Sequence, residues 1–175
     1  MTASLLSTIA GALEEAGIPY ALVGAAALAV HGVSRSTIDQ DLLVTDRRAL
    51  DPDLWRTLTG ISVDLRRGDS DDPLAGVIGF TAHGQRDVDV IVGRHAWQAS
   101  MLARARRVPL GARAIPVVSV PDLILLKLYA GGAQDRWDIA QLLAAVGSPE
   151  VQAEVERGLA DLPGRCGEMW RSRDS

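Results

Sequence analysis

The sequence predicts an α+β fold, with a mixed sheet in the first two thirds of the chain and helices after it. Three observations predict it. Short apolar runs of strand length, punctuated by Gly, Pro and Asp, recur as far as Val118. From Pro121 onward the apolar residues fall at helical spacing, broken only at Gly131-Gly132 and around Ser148-Pro149. With 175 residues, 47% of them hydrophobic, the chain is long enough for one domain with a real core. The expected division is residues 1–120 as the α+β core, 121–163 as a helical lobe of the same domain and 164–175 as a flexible tail.

Each element has a local cause. Leu5, Leu6, Ile9 and Leu13 form one helical face, and Gly17 ends it. Tyr20 to Val23 reads as a buried strand. After it, Ala25 to His31 reads as a helix that its alanines let pack closely. Ile38 to Val44 reads as a strand, and Asp46 as the cap of a helix running to Leu58. Ser62 to Arg66, Gly76 to Thr81 and Arg86 to Val92 read as strands, the last two joined by a turn at His83-Gly84-Gln85. A helix from His95 to about Arg106 and a strand from Ala114 to Val118 complete the core. Helices over Asp122 to Ala130, Ala133 to Val146 and Ser148 to about Pro163 build the lobe.

Charge and composition narrow the function. A net charge of −4 argues against a broad cationic nucleic-acid surface. Arg104, Arg106, Arg107 and Arg113 cluster, and a solvated face explains them more simply than an RNA track. Cys166 is the only cysteine, so no intrachain disulfide forms, and a reducing, cytoplasmic location is expected. The stretch from Met1 to Ala16 lacks a basic start and reads as a surface helix, and no apolar run suggests a membrane span. The three histidines share no metal-ligand spacing, no Gly-x-Ser-x-Gly elbow exists, and no Gly-Lys-Ser/Thr follows Gly24. Trp55, Trp97 and Trp137 read as core.

The chemistry concentrates in aspartates. Asp39 and Asp41 are two apart on a strand, so their carboxylates point the same way. Such a pair repels unless a cation sits between, and a hard divalent ion such as Mg2+ is the ordinary solution; the plainer reading is a solvated strand edge. Asp87 and Asp89 repeat the spacing. Asp89 lies between valines, where an unpartnered carboxylate is costly. Asp87 beside Arg86 reads as a surface ion pair and is the fallback for Asp89. Three carboxylates from neighbouring strands suit a two-metal clamp for phosphoryl displacement. In the lobe, Lys127 lies on an apolar helix, followed by Asp135 and Asp138; the plain reading is a snorkelling lysine and a helix-start acid.

Gly24-Ala25, the run Arg35-x-Thr37-x-Asp39-x-Asp41 and the apolar strand around Asp89 together resemble the nucleotidyltransferase superfamily, the polymerase-beta-like fold. Within it the chain resembles the small bacterial nucleotidyltransferases related to abortive-infection toxins, from about Tyr20 to Leu143. The resemblance implies a nucleotidyltransferase-like mixed sheet with flanking helices and a C-terminal helical lobe. It implies Asp39, Asp41 and Asp89 as ligands of Mg2+ or Mn2+ and as catalytic residues. Asp89 would also take a proton from the acceptor hydroxyl. It implies that Gly24, Ala25, Arg35 and Thr37 hold a nucleoside triphosphate, that Lys127 reaches a phosphate, and that Asp138 orients Lys127 or the base. The implied reaction moves a nucleoside monophosphate onto a hydroxyl of RNA, protein or a small molecule, within a toxin–antitoxin type system. A protein partner or a second copy of the chain would complete the site. Ala25 departs from the family pattern of glycine or serine, since it offers a backbone N–H but no hydroxyl. That departure supports the alternative of a catalytically degenerate binding or regulatory module. A sugar-nucleotide glycosyltransferase using Asp-x-Asp would need a larger fold.

Overall fold

The computed structural model describes residues 3–36 and 39–173. The first elements follow their local signals. Helix α1, Leu5–Glu15, is capped by Ser4, whose hydroxyl accepts from the Ser7 amide. Its Leu5, Leu6, Ile9 and Leu13 are buried, and Gly17 turns the chain at a φ of 65°. Strand β1, Tyr20–Val23, leads directly into helix α2, Gly24–Val30, and strand β2 follows at Gln40–Val44.

The expected helix after Asp46 does not form. Asp46 caps a 3-10 turn, Arg47–Leu50, but Asp51 is extended and Pro52 opens a second turn, Pro52–Trp55. A proline there lacks the N–H that a continuous helix needs. Strands β3 (Ser62–Arg67), β4 (Gly76–Thr81) and β5 (Val88–Val92) match expectation, and Gln85 donates to the Ala82 carbonyl in the turn. Helix α3, Ala96–Arg104, stops earlier than expected, at an extended Ala105. Residues read as the helix end instead begin strand β6, Arg106–Leu110, which pairs with β7, Arg113–Val117, around Gly111 at a φ of 66°. Pro109 is tolerated because β6 is an edge strand.

Two compact units emerge, one from Met1–Ala26 and Thr37–Val118, the other from Ala27–Ser36 and Ser119–Ser175. The boundary therefore differs from the expected cut at 120, because the segment Ala27–Ser36 groups with the C-terminal helices. The first unit holds a mixed sheet, among the described residues in the order β3-β4-β5-β2-β1-β7-β6. β1 runs antiparallel to β2, and β2 parallel to β5. Val88, Val90 and Val92, with Leu42, Val44, Ile78 and Phe80, are fully buried. Trp55 packs edge-on against Phe80 at 4.8 Å between ring centres. Burying each such side chain contributes about 1.5–3 kcal/mol.

In the second unit, helix α4 (Val120–Ala130) packs against α5 (Ala133–Val146), α6 (Pro149–Gly158) and α7 (Gly164–Arg171). Gly131, at a φ of 75°, ends α4. Helix α7 corrects the expectation of a flexible tail from Gly164: Cys166 and Trp170 are buried at 0% and 2% exposure. Their spacing of four puts both on the inner face of α7, a pattern too short to stand out in the sequence. Cys166 is thus unreactive by burial, which also raises its thiol pKa. Trp55 is core, but Trp137 is 47% exposed and is not. No described helix is long and apolar enough to cross a membrane.

The arginine cluster has a structural use. Glu14 of α1 accepts from Arg107 at 3.0 Å, from Arg113, and from the Tyr20 hydroxyl at 2.8 Å, tying α1 to β6, β7 and β1. Burial works against the charged Glu14. The Tyr20 and Arg107 hydrogen bonds and the two arginine charges outweigh it and hold the carboxyl below its ordinary value. A carboxyl with a lowered folded pKa stabilises fully above its unfolded value, about 4.3, and loses that contribution as pH falls through the folded value. Glu14→Gln is therefore expected to lower stability at pH 7 by about 1 kcal/mol or less, given the solvent screening of the arginines. The difference from wild type should shrink as pH falls below the unfolded value of about 4.3, read from melting curves at pH 7 and across the acid range.

Candidate active site

Strand register brings the aspartates together. Asp41 of β2 pairs with Asp89 of β5, Asp89 with Gly79 of β4, and Gly79 with Asp64 of β3. Directly paired residues project to the same face of a sheet, so Asp41, Asp89 and Asp64 share one row. Asp39 is exposed and immediately precedes β2. Thr37, one of the sequence-predicted contacts, lies outside the described residues.

Two glycines make room for this row. Gly24 sits at a φ of 64°, and a Cβ there would collide with Asp41 Oδ2. The need for glycine therefore has two causes, a left-handed backbone and the Asp41 carboxylate lying against it. At Gly79, a Cβ would stand 3.3 Å from Asp89 Oδ1, tighter than ordinary contact. Ala25, buried at 5% exposure, follows Gly24 at the start of α2.

Asp89 is half-buried, less deeply than its valine neighbours suggested, because it faces away from them. Its carboxyl is held above the ordinary range first by burial and then by the negative charges of Asp87, Asp39 and Asp64, with Arg66 opposing. Arg66 lies 3.3 Å from Asp64. Asp64, Arg66 and Gly79 went unrecognised in the sequence, because only the β3-β4-β5 register sets them beside Asp89.

The donors are all carboxylate oxygens under mutual repulsion, which is the chemistry a hard divalent cation satisfies. Among the described residues, however, no group of three or more Asp, Glu, His or Cys is already gathered closely enough to hold a metal ion. The donor chemistry fits a divalent ion, and the cage is not ready-made.

The second unit carries its own charged constellation. Lys127 Nζ of α4 lies 3.0 Å from Asp135 Oδ1 and 2.7 Å from Asp138 Oδ2, both on α5. Arg35 reaches the same Asp138 oxygen at 3.4 Å, and the Gln134 amide donates to Oδ1 at 3.3 Å. Asp138 is fully buried, Lys127 is 13% exposed and Arg35 24%. Lys127 is thus held in a network rather than snorkelling to solvent, and Arg35 is the most open of its cations. Removing one member of so buried a set typically costs about 3–5 kcal/mol, because the remaining charges are left uncompensated.

No protein-family model matches the chain, and no curated protein sequence does either. Solved structures do. The solution structure of the antibiotic-resistance factor ANT(2'')-Ia aligns with a TM-score of 0.58 at 17% identity, over 89% of this chain and 90% of that one. A crystal structure of ANT(2'')-Ia in complex with adenylyl-2''-tobramycin aligns at 0.57 and 16%, over 89% and 95%. The lincosamide antibiotic adenylyltransferase LnuA, lincomycin-bound, aligns at 0.51 and 13%, over 81% and 96%.

The chain has the nucleotidyltransferase fold. The expected α+β class with a mixed sheet and flanking helices is therefore observed. On that fold the Asp41–Asp89 row lies on the central pair of parallel strands.

Because its folded pKa is raised, Asp89 stabilises only below its unfolded value, about 3.9, and is a net cost once ionised. Asp89→Asn is accordingly expected to raise the melting temperature at pH 7 in chelator-treated buffer, with no gain at about pH 3.

Proposed function

We propose that the chain moves a nucleoside monophosphate from a nucleoside triphosphate to an acceptor hydroxyl, with Mg2+ or Mn2+ as cofactor. The observation that carries this reading is the register pairing of Asp41 with Asp89 beside Gly24, on a nucleotidyltransferase fold.

Asp39, Asp41 and Asp89 would hold the divalent ion. When bound, it neutralises triphosphate charge and lowers the pKa of the acceptor hydroxyl. Asp89, paired in register with Asp41, is the residue we assign as proton acceptor. The acceptor oxygen forms a bond to the α-phosphorus, its proton passes to Asp89, and the bond to pyrophosphate breaks. Gly24 and Ala25 offer backbone N–H groups to phosphate oxygens, since the first-turn amides of a helix lack partners within it. Arg35, four residues before Asp39, is the guanidinium we assign to a phosphate, together with Thr37. Lys127 and Asp138 then act by holding Arg35 in place. A direct contact from Lys127 to phosphate would require release from Asp135 or Asp138.

A small-molecule hydroxyl is the acceptor we favour over RNA or protein. Arg107 and Arg113 are engaged by Glu14, and the net charge is negative, which disfavours extensive contact with a polyanion. The structures with similar folds include one holding adenylyl-2''-tobramycin and one binding lincomycin. The toxin-related resemblance keeps RNA and protein as arms of the test, and a cytoplasmic setting follows from the same reading. The alternative, a degenerate binding or regulatory module, draws its support from Ala25.

The test follows label transfer from each nucleoside triphosphate to polyhydroxylated small molecules, RNA and protein. Wild type with Mg2+ is expected to transfer. Asp39→Ala/Asp41→Ala or chelation should reduce transfer by about a hundredfold to ten-thousandfold. Triphosphate binding without transfer to any acceptor would support the degenerate module, and absence of both would sink the proposal.

A further inference from the structure

Strand β3 ends the sheet, and among the described residues nothing pairs with its outer side. It is exposed along its length except at Leu65, which is half-buried. Which backbone groups face outward follows from the ladder. The Gly68 amide donates to the Ala75 carbonyl, and β3 and β4 keep that register throughout. Gly68, Arg66, Asp64 and Ser62 therefore direct their N–H and C=O groups toward β4, and Val63, Leu65 and Arg67 direct theirs outward. Val63, at 39% exposure, is one of few large apolar side chains left open among the described residues.

Charges usually protect such an edge from pairing. Here their order admits one partner. Consider a second copy of β3 laid antiparallel across a two-fold axis. Centred on Asp64, it sets that carboxylate against its own copy. Centred on Arg66, it sets guanidinium against guanidinium. Centred on Leu65, it places Asp64 opposite Arg66 twice and Leu65 opposite Leu65. The outward backbone groups also come into phase, with Val63 facing Arg67, Leu65 facing Leu65 and Arg67 facing Val63. Each of those pairs exchanges two hydrogen bonds, and Asp64 and Arg66 fall at the closer, non-hydrogen-bonded positions.

We propose that β3 is a self-pairing surface, and that two copies of the chain join antiparallel about Leu65 into one continuous sheet. The same two-fold places Asp64 and Arg66 of both copies on the face that carries Asp41 and Asp89. This reading does not depend on the proposed reaction. It requires only the edge and its charge order.

The test is sedimentation or light scattering of the full chain across a concentration series. Wild type is expected to dimerise. Asp64→Arg and Arg66→Asp should each raise the dissociation constant by at least about tenfold, because like charges then face each other at two positions. A one-to-one mixture of the two variants restores opposite charges at both positions, so a heterodimer is expected. Leu65→Pro, which removes an outward N–H and none bonded to β4, should leave a monomer. A monomeric wild type, a dimer unaffected by the charge reversals, or a mixture that stays monomeric would each overturn the proposal.

Discussion

The parallel pairing of β2 with β5 is the constraint on which the candidate site depends. It sets Asp41 against Asp89 in register, on the face away from the valine core. A shift by one residue would turn Asp89 into the apolar layer now filled by Val88, Val90 and Val92, where an ionised carboxylate is prohibitive. The buried valines therefore secure the register, and the register assembles the carboxylates. Gly24 and Gly79 complete the arrangement by leaving space where any side chain would displace Asp41 or crowd Asp89.

The cost of this arrangement falls on Asp89, whose carboxyl is raised by burial and by Asp87, Asp39 and Asp64. Arg66 relieves it in part from β3. Residues that raise folding energy at one site while leaving the rest of the core regular are typical of functional positions. In the second unit the charges are instead balanced: Asp138 faces Arg35 and Lys127, and Asp135 also engages Lys127. The first constellation keeps an excess of negative charge, with Arg66 set against Asp39, Asp41, Asp64, Asp87 and Asp89, and the second is nearly neutral within itself. That contrast makes the aspartate row the better candidate for a cation.

Much of the fold was legible because it rests on local periodicity. The helices α1, α4 and α5 and the strands β1, β4 and β5 all carry their pattern in consecutive residues. Pro52 was visible, yet its power to split the helix after Asp46 depended on an extended Asp51. Strand β6 was hidden because Arg106-Arg107-Val108-Pro109 lacks alternation of an ordinary buried strand, and only the pairing with β7 and the contact of Arg107 with Glu14 of α1 give it a place in the sheet. Asp39, Asp41 and Asp89 were singled out by spacing and resemblance. The reason for Gly24 was only half legible, since its collision with Asp41 is a contact across the β1–β2 pair. Asp64 and Arg66 could not be reached without the register of three strands.

The central claim is that the Asp41–Asp89 row binds a divalent cation together with a triphosphate. Electron paramagnetic resonance of Mn2+ tests it directly, with a non-hydrolysable nucleoside triphosphate present and absent. Wild type is expected to bind Mn2+ more tightly with the nucleotide, and Asp41→Asn and Asp89→Asn should each lose that binding by about tenfold or more. Mn2+ affinity unchanged in both variants would contradict the account.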